Sequence, residues 1–259
     1  MKGKVALVTG STSGIGWSIA NALAAQGAHV MLHGLGEATA LERLRADLAA
    51  RTGVRVGVHQ ADLSRAEEAV RLVRDTEQAL GGVDILVNNA GIQFVSPVED
   101  FPPERWSEVQ NIILNASFRA IREVVPGMKQ RGWGRIINLA SVHGLVASPF
   151  KSAYISAKHG QIGLTKTVAL ELAESAITCN AICPGYVRTP LVEGQIESQA
   201  KAHNLPRDRV IREVLLAAQP TKRFVEVEEV AALAVFLCGE HARSITGAAI
   251  SIDGGWSAR

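Results

Sequence analysis

Short apolar runs rich in Val, Ile and Leu alternate along this chain with longer stretches in which apolar positions return every three or four residues. A short continuous run fits a strand buried on both faces, and the longer period fits an amphipathic helix. Their regular alternation is what successive βαβ units produce in a parallel sheet. The runs predict strands near 4–9, 28–33, 54–59, 83–88, 134–140, 177–183 and 248–252. Helices are predicted over 14–26, 38–52, 65–80, 103–130, 153–174 and 227–238. Ser64 and Glu67 have the spacing of a capping box, and Gly53, Gly81-Gly82 and Gly132 fall where helices should stop. The expected fold is α/β, one doubly wound parallel sheet of about seven strands in a single domain over 1–259.

One segment breaks the rhythm. Between Thr189 and Pro220 lie two helical patterns, Leu191 to Lys201 and Asp208 to Gln219, placed after a strand end. Ligands of open α/β sheets bind beyond the carboxyl ends of the strands, so a helical pair over about 189–220 is expected to be a lid. On pattern alone, a surface insertion with no part in the site stays open.

Composition narrows the picture. With 259 residues, 47% of them hydrophobic, the chain can bury one large core. Its 27 basic and 25 acidic residues leave a net charge of +2 spread along the sequence. No concentrated positive field exists for nucleic acid, so none is expected as a partner. Cys179, Cys183 and Cys238 are scattered, with no His or acidic cluster around them; neither a disulfide framework nor a metal site is expected. The apolar run Val5 to Val8 is too short for a signal or a membrane span, and a cytoplasmic protein is expected.

Candidate chemistry begins at Thr9-Gly10-Ser11-Thr12-Ser13-Gly14-Ile15-Gly16, between the first strand and first helix. Glycines there permit a tight turn and let a pyrophosphate approach the backbone, while the helix N-terminus offers free N–H groups. Farther on, Tyr154 and Lys158 are four apart on a predicted helix, hence on one face. An ammonium beside a phenol favours the phenolate, which makes tyrosine a usable base. Ser141 ends a predicted strand and can donate a hydrogen bond to a substrate oxygen.

The spacing Gly-x-x-x-Gly-x-Gly resembles the short-chain dehydrogenase/reductase family. Further motifs of that family recur in order over the whole chain: Asp62, Asn88-Asn89-Ala90-Gly91, Ser141, Tyr154-x-x-x-Lys158, and Pro184-Gly185 with Thr189. The resemblance implies a Rossmann fold. It also implies a nicotinamide dinucleotide held by Gly10, Ser11, Thr12, Gly14, Ile15 and Gly16, by Leu35, Asp62 and Leu63, by Asn89, Ala90 and Gly91, and by Tyr154, Lys158, Pro184, Val187 and Thr189, with Asp62 facing the adenine amino group. By the same resemblance Tyr154 is the acid/base, Lys158 lowers its pKa and holds the ribose, and Ser141 orients the reacting oxygen.

The stretch His33-Gly34-Leu35-Gly36-Glu37 should meet the adenosine ribose. Neither it nor the glycine-rich turn carries Arg or Lys, so a 2′-phosphate would stand unpaired, and NAD is expected. Whether Glu37 binds the ribose or is merely an acid near a helix start stays open.

Three polar residues near the catalytic core need an explanation: Lys151 just before the Tyr154 helix, His143 two past Ser141, and Gln93 two past Gly91. Facing one cavity, they would suit a small carboxylate. The residues alone leave open a solvated Lys151 and a His143 satisfied within its loop. Here the sequence closely resembles a branch of the family, the bacterial (R)-3-hydroxybutyrate dehydrogenases, through Gly91-Ile92-Gln93, Ser141 to Ser148, Lys151 to Tyr154, Thr189 to Val192 with Gln195, and Asp253-Gly254-Gly255-Trp256. That resemblance implies carboxylate binding by Gln93, His143, Lys151 and Gln195, beside Ser141 and Tyr154. It further implies interconversion of (R)-3-hydroxybutyrate and acetoacetate with NAD, and a homotetramer; the apolar run Ala231 to Cys238 would tolerate a partner. A reductase of another small 3-oxo acid or acyl thioester, and a cofactor-binding relative without catalysis, remain the alternatives.

At one position the chain departs from the family. The register that matches Leu114 and Phe118 puts Ile113 where the resemblance implies a fourth catalytic residue, an asparagine whose helix opens so that a backbone carbonyl holds a water in a relay to Lys158. Asn111 and Asn115 lie about 200° away on a helix and cannot replace it. Ile113 leaves the carbonyl available if the helix opens, and the expectation is an active but slower enzyme.

Overall fold

The computed structural model describes residues 1–189, 192–194, 196, 197, 200 and 204–258. Its centre is a seven-stranded sheet with every pair parallel. The strands are β1 (Val5–Val8), β2 (His29–His33), β3 (Val56–His59), β4 (Ile85–Asn88), β5 (Gly134–Leu139), β6 (Ile177–Pro184) and β7 (Ala249–Ile252), in the order β3-β2-β1-β4-β5-β6-β7. All seven fall where the apolar runs place them. The chain reverses its direction of growth at β1, and the β1/β4 boundary opens a crevice at the strands' carboxyl ends.

Successive strand residues face opposite layers. Ala6 and Val8 of β1 join a core with Ile19 and Leu23 of α1 (Gly14–Ala25), Leu48 of α2 (Ala38–Thr52) and Val230 of α7 (Val227–Cys238). Val5 and Leu7 join the other, with Leu72 of α3 (Ala66–Leu80), Val124 of α5 (Ala116–Arg131) and Val168 of α6 (Ser152–Glu171). The helix ends predicted from glycine hold: Gly53, Gly81 and Gly132 are left-handed caps with φ of 71°, 96° and 66°.

Three expectations need correction. Ser64 does not cap α3; the N-cap is Arg65, and the Ser64 N–H is taken by Asp62 Oδ1 at 3.0 Å. A capping box forms instead at Glu226 and Glu229, opening α7. The expected helix over 103–130 is α4 (Pro103–Gln110), a π turn (Asn111–Asn115) and α5. The run Ala231 to Cys238 spends Ala231, Ala234, Leu237 and Cys238 on the core, because α7 packs against α1, which leaves Phe236 as its exposed large apolar residue.

After β6, residues 192–194, 196, 197 and 200 are helical, and a short helix Arg207–Arg209 runs into a second π turn, Val210–Leu215. The second helical pattern thus ends at Leu215, short of Gln219. Ile196, Val210, Leu215, Leu216 and Phe224 give this segment a small core of its own.

Candidate active site

The glycine-rich turn is built by backbone angles and close contacts that disfavour a side chain at its glycines. Gly10 and Gly14 have φ of 62° and 54°, and a Cβ on Gly16 would collide with the Gly10 carbonyl and the Asn89 amide. Asn89 Nδ2 donates to the carbonyls of Thr9 and Gly10, both at 2.9 Å. His33 Nδ1 accepts from Gly10 N at 3.0 Å, so its Nε2 carries the proton and donates to Ala61 O at 2.9 Å. Burial holds this imidazole below its ordinary pKa, consistent with a neutral ring. Ser11 is buried and spent on the same strut: its N–H donates to His33 O at 2.7 Å and its Oγ accepts from His33 N at 2.9 Å. Its side chain is therefore committed to β2, away from the crevice.

Three cavities follow the carboxyl edge of the sheet. One of about 320 Å³ is lined by Gly10, Thr12, Leu35, Asp62, Leu63, Asn89, Ala90 and Gly91. The next, about 370 Å³, shares Asn89 and Gly91 and adds Gly14, Ile15, Gly16, Tyr154, Lys158, Pro184 and Thr189. The third, about 240 Å³, shares Ile15, Tyr154, Pro184 and Thr189 and is completed by Gln93, Ser141, His143, Lys151, Val187, Tyr186, Val192 and Trp256. The sequence-predicted residues are thus brought together along one track, Ser11 standing behind the turn and Gln195 lying outside the described residues.

Tyr154 and Lys158 lie on the face of α6 that meets β5. Lys158 Nζ donates to Leu139 O at 2.5 Å and to Gln161 Oε1 at 3.1 Å, and sits 5.6 Å from the Tyr154 ring centre. Burial pulls this ammonium down to about 7. The Tyr154 hydroxyl is raised by burial, while its hydrogen bond with Ser141 opposes that shift. Ser141 Oγ also accepts from His143 N at 3.1 Å, which fixes the serine at the start of a short 3-10 turn, Val142–Gly144.

The far wall carries positive or neutral groups. His143 is held down to about 4 by burial, with Lys151 and His159 adding repulsion, and its Nε2 lies 3.1 Å from Ser148 Oγ. Burial lowers Lys151 as well, and among the described residues it has no acidic partner. An anion entering here would relieve both groups.

Several lining residues were not among the predicted site residues, two aromatics foremost. Tyr186 and Trp256 stack at 5.8 Å between ring centres with planes 19° apart, and Trp256 meets His143 edge-on at 5.2 Å. Tyr186 directly follows Pro184-Gly185, a signal that could have found it. Trp256 comes from the tail, delivered by Asp253, whose carboxylate accepts from Gly255 N, Ser257 N and Ser257 Oγ at 2.6–3.0 Å. No local pattern announces that route.

Residues 10–257 match the family model described as enoyl-(acyl carrier protein) reductase. The chain belongs to the short-chain dehydrogenase/reductase family. A D-beta-hydroxybutyrate dehydrogenase of Rhizobium meliloti (strain 1021) is 52% identical over 99% of both chains. One of Cupriavidus necator is 54% identical over the full length of both. Among solved structures, L-sorbose reductase from Gluconobacter frateurii, complexed with NADPH and L-sorbose, superposes with a TM-score of 0.94 at 33% identity, covering 100% of this chain and 98% of that one.

Proposed function

We propose that this chain oxidises (R)-3-hydroxybutyrate to acetoacetate with NAD and catalyses the reverse reaction. The observation that carries the reading is the 240 Å³ cavity, in which Tyr154 and Ser141 face Lys151, His143 and Gln93 across a space the size of a small hydroxy acid. Its relatives at 52% and 54% identity support the same substrate.

The glycine-rich turn and the two cavities beside it fit a dinucleotide: left-handed glycines, free N–H groups at the start of α1, and Asp62 and Leu35 at the outer end. When bound, it supplies the hydride acceptor. Tyr154 takes the hydroxyl proton, and Lys158 favours its phenolate by charge. Ser141 donates to the reacting oxygen. Lys151, His143 and Gln93 hold the carboxylate, so that the carbinol carbon is fixed relative to Tyr154. The lid role falls to the segment after β6, whose described core of Ile196, Val210, Leu215, Leu216 and Phe224 packs against the cavity-lining Tyr186 and Val192, and its closing would exclude water.

No described helix is long and apolar enough to cross a membrane. We place the enzyme in the cytoplasm, in keeping with its three free thiols. The assembly we propose is a homotetramer, supported by the exposed Phe118 on α5 and Leu170 on α6. The test of function is NADH absorbance with each enantiomer of 3-hydroxybutyrate. Turnover of the (R) form is expected; turnover confined to longer 3-hydroxy acids or to thioesters would replace the substrate, and none on any 3-hydroxy acid would reject the reading.

A further inference from the structure

The π turn at Asn111–Asn115 ends on a chain of contacts that reaches the catalytic lysine. Its middle carbonyl, Ile113 O, accepts from Ser117 Oγ at 2.6 Å and from Gln161 Nε2 at 3.1 Å. The same amide nitrogen donates to Ser117 Oγ at 2.9 Å, and Gln161 Oε1 accepts from Lys158 Nζ. Gln161 is fully buried, one turn beyond Lys158 on α6. The opposite amide orientation would aim a donor at the ammonium, so the chemistry fixes which atom faces Lys158.

We infer that Gln161 is the positioning residue of Lys158, its side-chain amide tying the ammonium to the opened helix at Ile113. The inference rests on the catalytic reading of Lys158 given above.

Three observations converge on it. A buried primary amide is costly unless all its groups are paired, and an apolar side chain of equal size would fill the same space without that cost. Here both amide protons and the oxygen are spent, and on one line between two helices. Secondly, an ammonium has three donors; two of those on Lys158 are fixed by Leu139 O and Gln161 Oε1, which leaves one for the cavity the residue lines. Thirdly, the Ile113 side chain offers no polar group, and Asn111 and Asn115 are paired with each other at 2.8 Å. The amide that reaches Lys158 from this side therefore comes from α6 itself. A carboxamide is not a proton carrier, so Gln161 holds the lysine in place and in its charged form and does not pass protons on.

The titratable groups around Lys158 are few. Among the described residues, Tyr154 and the Gln161 amide lie on its own helix and Cys183 on β6, while β5 and the π turn present backbone carbonyls. Removing the Oε1 acceptor should therefore make the ammonium lose its proton at lower pH, weaken its hold on the Tyr154 phenolate, and move the acidic limb of the oxidation profile to higher pH.

The experiment uses the full chain labelled with 13Cε-lysine, the Lys158 signal being assigned from Lys158→Arg, in Gln161→Met and Gln161→Glu. Gln161→Met keeps the volume and removes both hydrogen-bonding functions. Its Lys158 titration midpoint is expected to fall, its turnover on 3-hydroxybutyrate at neutral pH to drop roughly tenfold, the loss of one bond to a charged group, and its KM to change far less. Gln161→Glu keeps an acceptor on Lys158, and its midpoint is expected to lie above that of Gln161→Met and of the parent. If Gln161→Met does not fold, the Gln161→Glu midpoint alone decides. Unchanged Lys158 midpoints with only a lowered Tm would overturn the inference and leave Gln161 as core filling. Failure of the parent to turn over 3-hydroxybutyrate would strike the substrate assignment instead, since the lysine titration needs no substrate.

Discussion

Thr12 closes the space beside Gly34: a Cβ on that glycine would stand 2.6 Å from both Cγ2 and Oγ1 of Thr12. The obvious place for an arginine that would recruit a 2′-phosphate is therefore blocked. Leu35, next in sequence, is 67% exposed and lines the same cavity. Leu35→Arg is expected to raise kcat/KM for NADP relative to NAD by about tenfold or more, the worth of a charge-assisted hydrogen bond. Gly34→Arg is expected to weaken both cofactors by displacing Thr12. Equal cofactor ratios in Leu35→Arg and the parent would put the ribose elsewhere.

Burial raises the Tyr154 hydroxyl, and its partners in the described structure are Ser141 and the nearby Lys158. Tyr154→Phe removes the proton acceptor and leaves the glycine-rich turn untouched. Turnover should fall by a factor of about 10² or more, with NAD affinity by fluorescence nearly unchanged. A variant retaining about a tenth of the parent rate would require another base, against the factor expected for acid/base catalysis.

The fold was legible because its signals are local. Apolar runs such as Val5 to Val8 and Ile85 to Val87 place the strands, and Gly53, Gly81 and Gly132 place three helix ends. The cofactor turn and the Ser141, Tyr154 and Lys158 set were legible through motif spacing. Hidden features were those made by distant chain segments meeting. Trp256 reaches the cavity only because Asp253 folds the tail back. Ser64 matched a capping pattern, yet the preceding Asp62 takes its N–H first. At Ile113 the sequence showed a missing side chain, but the amide that reaches its carbonyl belongs to Gln161, 48 residues on.

His143 takes up a proton near 6.5 in an unfolded chain but only at about 4 when folded. Between those values the unfolded state binds more protons, so this group's contribution to stability is complete above about pH 6.5 and is lost as pH falls through about 4. The full effect is on the order of 3 kcal/mol. Thermal unfolding of His143→Asn should show a smaller drop in Tm between neutral and mildly acid pH than the parent. Buried His33 shifts in the same direction and will keep part of the acid sensitivity in the variant. Parallel Tm curves for the two proteins would remove His143 from the account.

Ile113 is fully buried among Val109, Ala153, Ala157 and Tyr154, and its carbonyl already has two donors. Restoring an asparagine at this position places an amide in an apolar pocket, at a cost of roughly 1–3 kcal/mol for an unsatisfied buried group. Ile113→Asn is therefore expected to lower Tm and to run no faster than the parent, because Gln161 already reaches the carbonyl. A faster variant would show that the side chain at 113, and not only the open helix, limits the rate.

The carboxylate wall makes the most specific demand. Lys151 stands at the N-cap of α6, where the helix dipole already disfavours a cation, and burial lowers its pKa further. His143 is lowered partly by Lys151 itself. Two cation-capable groups kept together without an acidic partner among the described residues are poorly arranged for stability and well arranged for an anion, which recovers both penalties on binding. Gln93 adds a neutral donor at the rim. Lys151→Met is expected to reduce kcat/KM for 3-hydroxybutyrate by about 10- to 100-fold, the range for losing a hydrogen bond to a charged group. The loss should fall mainly on KM, because the group binds substrate and transition state alike. His143→Asn should act in the same sense and more weakly, since its ring enters the reaction's pH range neutral. An uncharged four-carbon secondary alcohol, oxidised slowly by the parent, should change little in either variant. Equal losses on the charged and uncharged substrates would mean that Lys151 and His143 support the loop between β5 and α6, and that the carboxylate is held elsewhere.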